Sequence, residues 1–286
     1  MLNYIFYRIG QFLALRLPLG LSYRVAILIS DLHNIFSFKD RRAVRANLKT
    51  IFPEKSPKEI RRIRRRISIN FAKYLVDFFR FSVIDASYLE ENVKIENLVY
   101  IDRALSKGKG VIILSAHLGN WELGGVVLGV LGYPFWVVAL THKNKKVNSF
   151  FNFQRESKGV RVIPLGKAVR QCLRVLGENK MLGLVGDRDF TERGTVLDFF
   201  GRPAIFPQGP AALSLSMGAS IVPAFMLRNS DESFTLRFEE PVQFSPSGER
   251  ERDVKDLIAK YILIYEDYIR RYPDQWYMFR RFWVNR

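Results

Sequence analysis

The run Val111-Ile112-Ile113-Leu114-Ser115-Ala116-His117-Leu118-Gly119-Asn120-Trp121-Glu122 joins a strand to a helix. Its first four residues are apolar without alternation, the pattern of a strand buried on both faces. Gly119 marks a turn that allows close backbone approach. A helical segment then runs from Trp121 to Leu131. Leu182-Gly183-Leu184-Val185 shows the same continuous apolar pattern. Two such strands imply a sheet covered by helices on both sides.

Working outward, the pattern after residue 92 alternates between the two periods. Strands are expected at Val93–Ile95, Val111–Ser115, Phe135–Leu140, Arg161–Pro164 and Met181–Val185. Others are expected at Val196–Phe200, Ile221–Leu227 and Phe234–Phe238. Helices are expected at Ile101–Lys107, Trp121–Leu131, Val147–Ser157, Lys167–Glu178, Gly209–Met217 and about Arg252–Arg271. Strands alternating with helices imply a mainly parallel mixed sheet with right-handed crossovers. The class is α/β, with a basic helical N-terminal layer. No repeat or low-complexity linker divides the chain. One domain, 1–286, is expected: an interfacial helical segment at 1–38, a basic helical layer at 39–91 and an α/β core at 92–286.

The 286 residues are 48% hydrophobic and 26% charged, ordinary globular usage. Lys and Arg number 45 against 28 acids, a formal net charge of +17. Such a field attracts anions: nucleic acid, an anionic membrane or a phosphorylated substrate. No zinc-finger spacing or aromatic RNP-type motif accompanies it, so nucleic acid is not expected as a partner. The single cysteine, Cys172, excludes an internal disulfide and implies a reducing compartment.

Residues 39–80 hold 14 Lys and Arg against four acids, a net of +10. Ser56-Pro57-Lys58-Glu59 is a capping box with proline at the first helical position. Ile60, Ile63, Ile67, Phe71 and Tyr74 follow at helical spacing. Arg61, Arg62, Arg64, Arg65 and Arg66 cover much of the rest. A solvated face is the ordinary reading, but like charges four residues apart repel. A basic face beside an anionic bilayer gains roughly 1 kcal/mol per residue.

Residues 1–30 are apolar, interrupted by Arg8, Arg16 and Arg24 and split by Pro18 and Gly20. They fit a helix or hairpin in a membrane interface, or equally a core helix with exposed arginines. No Ala-x-Ala type cleavage site follows, so a signal peptide is not expected. Two longer uncharged runs, Leu123–Thr141 and Pro203–Leu227, are broken by turns and prolines and are not expected to span a membrane.

In an open parallel sheet, sites lie beyond the carboxyl ends of strands. His117 stands there, one of three histidines in the chain. A core histidine is the bland alternative. Glu122, five residues on, is expected to face back, orient the imidazole and stabilise its positive form. A second polar cluster, Gly186-Asp187-Arg188-Asp189-Phe190, ends another apolar strand. It reads as a polar site or as a salt-bridged loop. No Gly-x-Ser-x-Gly elbow is present, and Cys172 lies within a helical pattern. A histidine base without an enzyme nucleophile suggests direct attack by a substrate hydroxyl. No metal is expected, because His117 has no second histidine at ligand spacing.

Three blocks resemble the lipid A late acyltransferases, the lauroyl and myristoyl transferases of the lysophospholipid acyltransferase superfamily. Ala116–Glu122 is similar to the superfamily's His-x4-acid motif. Asp187–Gly201, continuing through Gly209–Leu213 and Gly218-Ala219, is similar to its second block. Pro273–Trp276 with Arg280–Trp283 is similar to its C-terminal block. Met278 and Arg280 stand where the lipid A enzymes often carry Trp and His. That form is closer to the phosphatidylinositol mannoside acyltransferases.

The resemblance implies a bacterial enzyme on the cytoplasmic face of the inner membrane. It implies transfer of an acyl chain from an acyl carrier protein or coenzyme A thioester, without a bound cofactor. His117 removes a proton from an acceptor hydroxyl, and Glu122 holds the ring. Asn120, Asp187 and Asp189 are expected at the substrate. Arg155, Arg188 and Arg281 are expected to meet phosphates. Backbone donors near the helix start are expected to steady the oxyanion. An anionic glycolipid, foremost a lipid A precursor, is the expected acceptor. A lysophospholipid or phosphatidylinositol mannoside is the alternative, and a non-catalytic membrane-binding protein is the rival class.

Overall fold

A computed structural model of the chain describes residues 2–190 and 194–284. Four helices come first: α1 (Leu2–Arg16), α2 (Leu19–Phe36), α3 (Phe38–Ile51) and α4 (Pro57–Phe79). The sheet region opens with α5 (Ala86–Asn92), β1 (Val93–Glu96), α6 (Val99–Leu105), β2 (Val111–Ser115) and α7 (Trp121–Val130). It continues with β3 (Phe135–Ala139), α8 (Lys145–Glu156), β4 (Arg161–Pro164), α9 (Ala168–Gly177) and β5 (Met181–Val185). After β6 (Thr195–Phe199) and β7 (Arg202–Phe206) come α10 (Gly209–Met217), β8 (Ser220–Arg228), β9 (Phe234–Phe238) and α11 (Arg250–Arg271).

Seven strands form one sheet in the order β1-β9-β8-β2-β5-β3-β4. All neighbours are parallel except β8 and β9. Every residue of β2 is buried, as its unalternating apolar run requires. Apolar residues pack on both faces of the sheet. The parallel expectation therefore holds for the main sheet.

One expected strand lies elsewhere. The segment read as Val196–Phe200 pairs antiparallel with β7 in a separate two-stranded hairpin. Phe200 and Gly201 link the pair, with φ of +53° and +73°. Positive φ at both turn residues is the type I′ geometry that closes a two-residue hairpin, so β6 pairs with its sequence neighbour.

The capping box forms as read. The Glu59 N–H donates to Ser56 Oγ at 3.3 Å, and the Ser56 N–H donates to Glu59 Oε2 at 2.9 Å. Helix α4 buries Ile60, Ile67, Tyr74 and Phe78, while Arg61, Arg62, Arg65 and Arg66 face outward. Part of that charge is answered. Arg65 forks onto Asp31 of α2 at 3.0 and 2.6 Å, and Arg66 meets Asp274 at 2.9 Å. Among the described residues, no helix is long and apolar enough to cross a membrane. Helices α1 and α2 nevertheless expose Phe6, Ile9, Phe12, Leu28, Ile29 and Phe36 to 50% or more.

A buried polar knot joins this layer to the sheet. Asp77 of α4, 3% exposed, pairs with Arg228 at the end of β8. Tyr23 of α2 donates to Asp77 at 2.6 Å, and Asn120 donates to its other oxygen at 2.9 Å. Burial alone lowers the guanidinium pKa of Arg228, but Asp77 and Tyr23 outweigh it and hold the charge. Removing one partner of a buried ion pair leaves the other charge uncompensated. Asp77→Ala is therefore expected to lower the unfolding free energy by about 3–5 kcal/mol. Urea midpoints measure this, and a wild-type midpoint contradicts the pairing.

Candidate active site

Strand β2 runs between β8 and β5. Its register with β5 pairs Val111 with Met181 and Ser115 with Val185. Two residues past each strand end stand His117 and Asp187. His117 Nδ1 and Asp187 Oδ1 are 2.5 Å apart. The His117 N–H also donates to Asp187 Oδ2 at 3.1 Å, and Trp276 Nε1 donates to the same oxygen at 3.1 Å.

Asp187 has no exposed side-chain surface. Burial raises its pKa, but His117, Arg188 and the Trp276 hydrogen bond outweigh it and hold the carboxyl at about 2. An ionised carboxylate only accepts, so Nδ1 carries the proton. The lone pair is then on Nε2. The imidazole is 16% exposed, its ring 4.9 Å from that of Trp121 in an edge contact.

The turn after β2 is tightly enclosed. Gly119 has a φ of +66°, and a Cβ there would sit 2.0 Å from the Met226 carbonyl oxygen. Its N–H donates to Gln275 O at 2.9 Å, and the Asn120 N–H donates to Met226 O at 2.7 Å. The C-terminal segment crosses this turn, with the Tyr277 N–H on His117 O at 2.9 Å.

Several sequence expectations change. Glu122 does not hold the imidazole: its carboxylate forks onto Arg155 Nε and Nη2 at 2.7 and 2.5 Å. Sheet register brings Asp187, not the helical carboxylate, onto the ring. Arg155 is 9% exposed and committed to Glu122, so it is not available to a phosphate. Asn120 is 2% exposed, and its amide caps α7 through the Leu123 N–H at 3.1 Å while binding Asp77; it is a structural residue here. Asp187 is likewise buried away from any substrate.

The N–H groups of Leu118, Gly119 and Asn120 all have backbone partners, so the turn does not offer them to an oxyanion. Arg188 lies next to the dyad. It donates to Tyr277 O, and its Nε is buried without a hydrogen-bond partner among the described residues. Asp189 accepts from the Gly194 N–H at 3.0 Å. Arg281 is exposed and away from these contacts. Trp276, Tyr277 and Asp77 were not foreseen in the site. Trp276 lies in a block quoted from the sequence, but nothing in its spacing pointed to a carboxylate distant in the chain.

Cys172 is 1% exposed, and burial pushes its thiol up to about 11, which disfavours the nucleophilic thiolate. Among the described residues, no group of three or more His, Cys, Asp or Glu is disposed to hold a metal ion.

Residues 1–285 match the sequence profile of a family described as bacterial lipid A biosynthesis acyltransferase. Over 219 residues the chain is 30% identical to a phosphatidylinositol mannoside acyltransferase of Mycolicibacterium smegmatis, covering 75% of this chain and 70% of that protein. A phosphatidylinositol mannoside acyltransferase of Mycobacterium tuberculosis is 33% identical over 160 residues, 54% of this chain and 51% of that protein. A lipid A biosynthesis acyltransferase of Haemophilus influenzae is 20% identical over 194 residues, 68% of this chain and 61% of that protein.

The geometry separates two carboxylates that the sequence treats alike. Asp187→Asn is expected to lower kcat on the order of 10²-fold or more, because an amide no longer fixes the tautomer. Glu122→Gln, one bond network away, is expected to cost less. Steady-state kinetics on folded variants measure both; a milder effect at Asp187 contradicts the assignment. The Asp187 pKa also sets a pH window. It is depressed from 3.8 to about 2, so its stabilisation is present above about pH 4 and is lost as pH falls through 2. Acid unfolding of Asp187→Asn is expected to show a shallower slope across that window.

Proposed function

The chain belongs to the bacterial lipid A biosynthesis acyltransferase family, and from that premise we propose how it transfers its acyl group and to what. The acceptor is a hydroxyl of an anionic glycolipid, and the donor is an acyl thioester on acyl carrier protein or coenzyme A. One observation carries the reading: buried Asp187 Oδ1 lies 2.5 Å from His117 Nδ1, a pairing that favours the proton on Nδ1 and Nε2 as the base. Among the described residues no activated nucleophile accompanies it, so direct transfer fits best.

In this scheme Nε2 takes the proton of the acceptor hydroxyl as its oxygen attacks the thioester carbonyl. The positive imidazolium is stabilised by Asp187 beneath it. When the tetrahedral centre collapses, the C–S bond breaks and the thiolate takes the proton back from Nε2. The new ester and a free thiol leave. General base catalysis of this kind contributes about 10²- to 10⁴-fold. First-turn N–H groups of α7, other than those of Leu123 and Gly124 that Asn120 already holds, are the candidate oxyanion donors. Glu122 and Arg155 hold the start of α7 and the end of α8 together, which supports the turn carrying His117.

A lipid A precursor is the first acceptor to test, since it carries both phosphates and acyl-chain hydroxyls. The family description supports it. A phosphatidylinositol mannoside is the second reading, favoured by the 30% identity to a mannoside enzyme against 20% to the lipid A enzyme. His117→Ala is expected to abolish transfer while leaving the circular dichroism spectrum unchanged. Lipid A precursor, phosphatidylinositol mannoside and lysophosphatidic acid, each with both thioesters, identify the acceptor. Near-wild-type turnover by His117→Ala overturns the mechanism; acylation of the lysophospholipid alone overturns the glycolipid reading.

The enzyme works at the cytoplasmic face of the inner membrane, bound to its surface. The exposed apolar side of α1 and α2 supports insertion into the interface, and the +10 stretch at 39–80 supports attraction to anionic lipid. Liposome flotation is expected to favour anionic over neutral vesicles, less so at 0.5 M salt, where charge is screened to roughly 4 Å. Equal binding to both vesicles at low salt contradicts the role of the patch.

A further inference from the structure

Helices α1 to α4 wall a cavity of about 490 Å³. It is a half-open cleft between the helices rather than an enclosed void. Antiparallel contacts between α2 and α4 order it from end to end. Tyr23 lies against Asp77, and Ser30 against Ser68, whose hydroxyl also reaches Asn34. One end is apolar, walled by Leu13, Leu17, Ala26, Leu75, Val76 and Phe79. Ordered water needs polar partners and finds few there.

The other end is polar, with the cations Arg41 and Arg64 near His33 and Asp40. Arg64 Nη1 donates to Asn34 Oδ1 at 3.5 Å, and Arg41 lies over the Phe38 ring at 4.5 Å. Among the described residues, neither has a carboxylate within ion-pair distance. Burial, with the charges of Arg41 and Arg61, pushes the Arg64 guanidinium below its ordinary value. An anion at this end would relieve that crowding. The cavity is also open to the outer apolar face. Leu13 and Ile29 line it and are 37% and 59% exposed.

We propose that this cavity holds one alkyl chain of an anionic amphiphile, with its head group against Arg41 and Arg64, at a site separate from His117. The separation follows from α4. Arg64 precedes Tyr74 by ten residues, about 15 Å of helix. Tyr74 stacks on Trp121 at 4.8 Å, and Trp121 in turn meets His117. A chain with its head at Arg64 does not present that head to the base. The head-group end is therefore distinct from the base, while the apolar end reaches Phe71, which packs on Tyr74 and Tyr277. Its chain enters from the side that exposes Leu13 and Ile29.

The test is a fluorescence titration of the full chain, stripped of lipid and kept in dilute non-ionic detergent, with cis-parinaric acid as probe. Saturable one-to-one binding is expected, unchanged in His117→Ala. Ala26→Phe and Ala72→Phe, which fill the cavity from opposite walls, are each expected to weaken binding at least tenfold with helical content retained. Arg41→Gln with Arg64→Gln is expected to weaken displacement by palmitate at least tenfold and displacement by hexadecanol less than twofold. Palmitate and lysophosphatidic acid separate a carboxylate head from a phosphate head, the tighter competitor naming the source. Wild-type affinity in both filled variants overturns the proposal. So does equal weakening of palmitate and hexadecanol, or a probe site displaced by palmitoyl thioester and lost in His117→Ala.

Discussion

The parallel register of β2 on β5 is the constraint from which the site follows. Pairing Ser115 with Val185 sends both chains out of the sheet side by side, two residues short of His117 and Asp187. The two side chains meet without any long excursion of the backbone. Trp276 then closes over the carboxylate from the C-terminal segment. Burial alone would neutralise Asp187. Its three polar partners reverse that sign and hold the carboxyl below its ordinary value, so it is an anion near neutral pH. An anion fixed in that position selects one imidazole tautomer, and the base faces outward as a result.

The second requirement is that the turn itself does not move. Gly119 lies against the Met226 carbonyl, where no side chain fits. Asn120 caps α7 and reaches back to Asp77, which Arg228 and Tyr23 also hold. The same buried knot thus touches the N-terminal helices, the end of the interior strand β8 and the start of α7. Buried polar groups of this kind are costly unless fully satisfied. Here Asp77 has three partners, and its cost is offset by the rigidity it gives to the turn. The outer faces of α1 and α2, by contrast, remain apolar and uncovered, a property suited to a lipid interface.

Much of this was legible in the sequence because burial writes itself into local pattern. The apolar run at 111–114 announced a central parallel strand, and Ser56 with Glu59 announced the start of α4. His117 stood out as a histidine at a strand end. What the sequence did not carry was partnership at long range. Glu122 is five residues from His117 and looked like its mate, yet a helix turns that carboxylate toward Arg155. Asp187 is 70 residues away and depends on register, which no local pattern encodes. The resemblance put Asn120 at the substrate; in the fold it caps α7 and binds Asp77. The strand at 196–200 was visible, but its pairing was decided by the positive φ values of Phe200 and Gly201.

The tautomer of His117 is the central claim, and it is directly observable. Long-range ¹⁵N–¹H correlation spectra of the imidazole distinguish a protonated Nδ1 from a protonated Nε2 in the neutral ring. The neutral ring is expected to carry its proton on Nδ1, unchanged in Glu122→Gln and lost in Asp187→Asn. An Nε2-protonated ring in the wild type, or a tautomer that changes with Glu122 and not with Asp187, would contradict it.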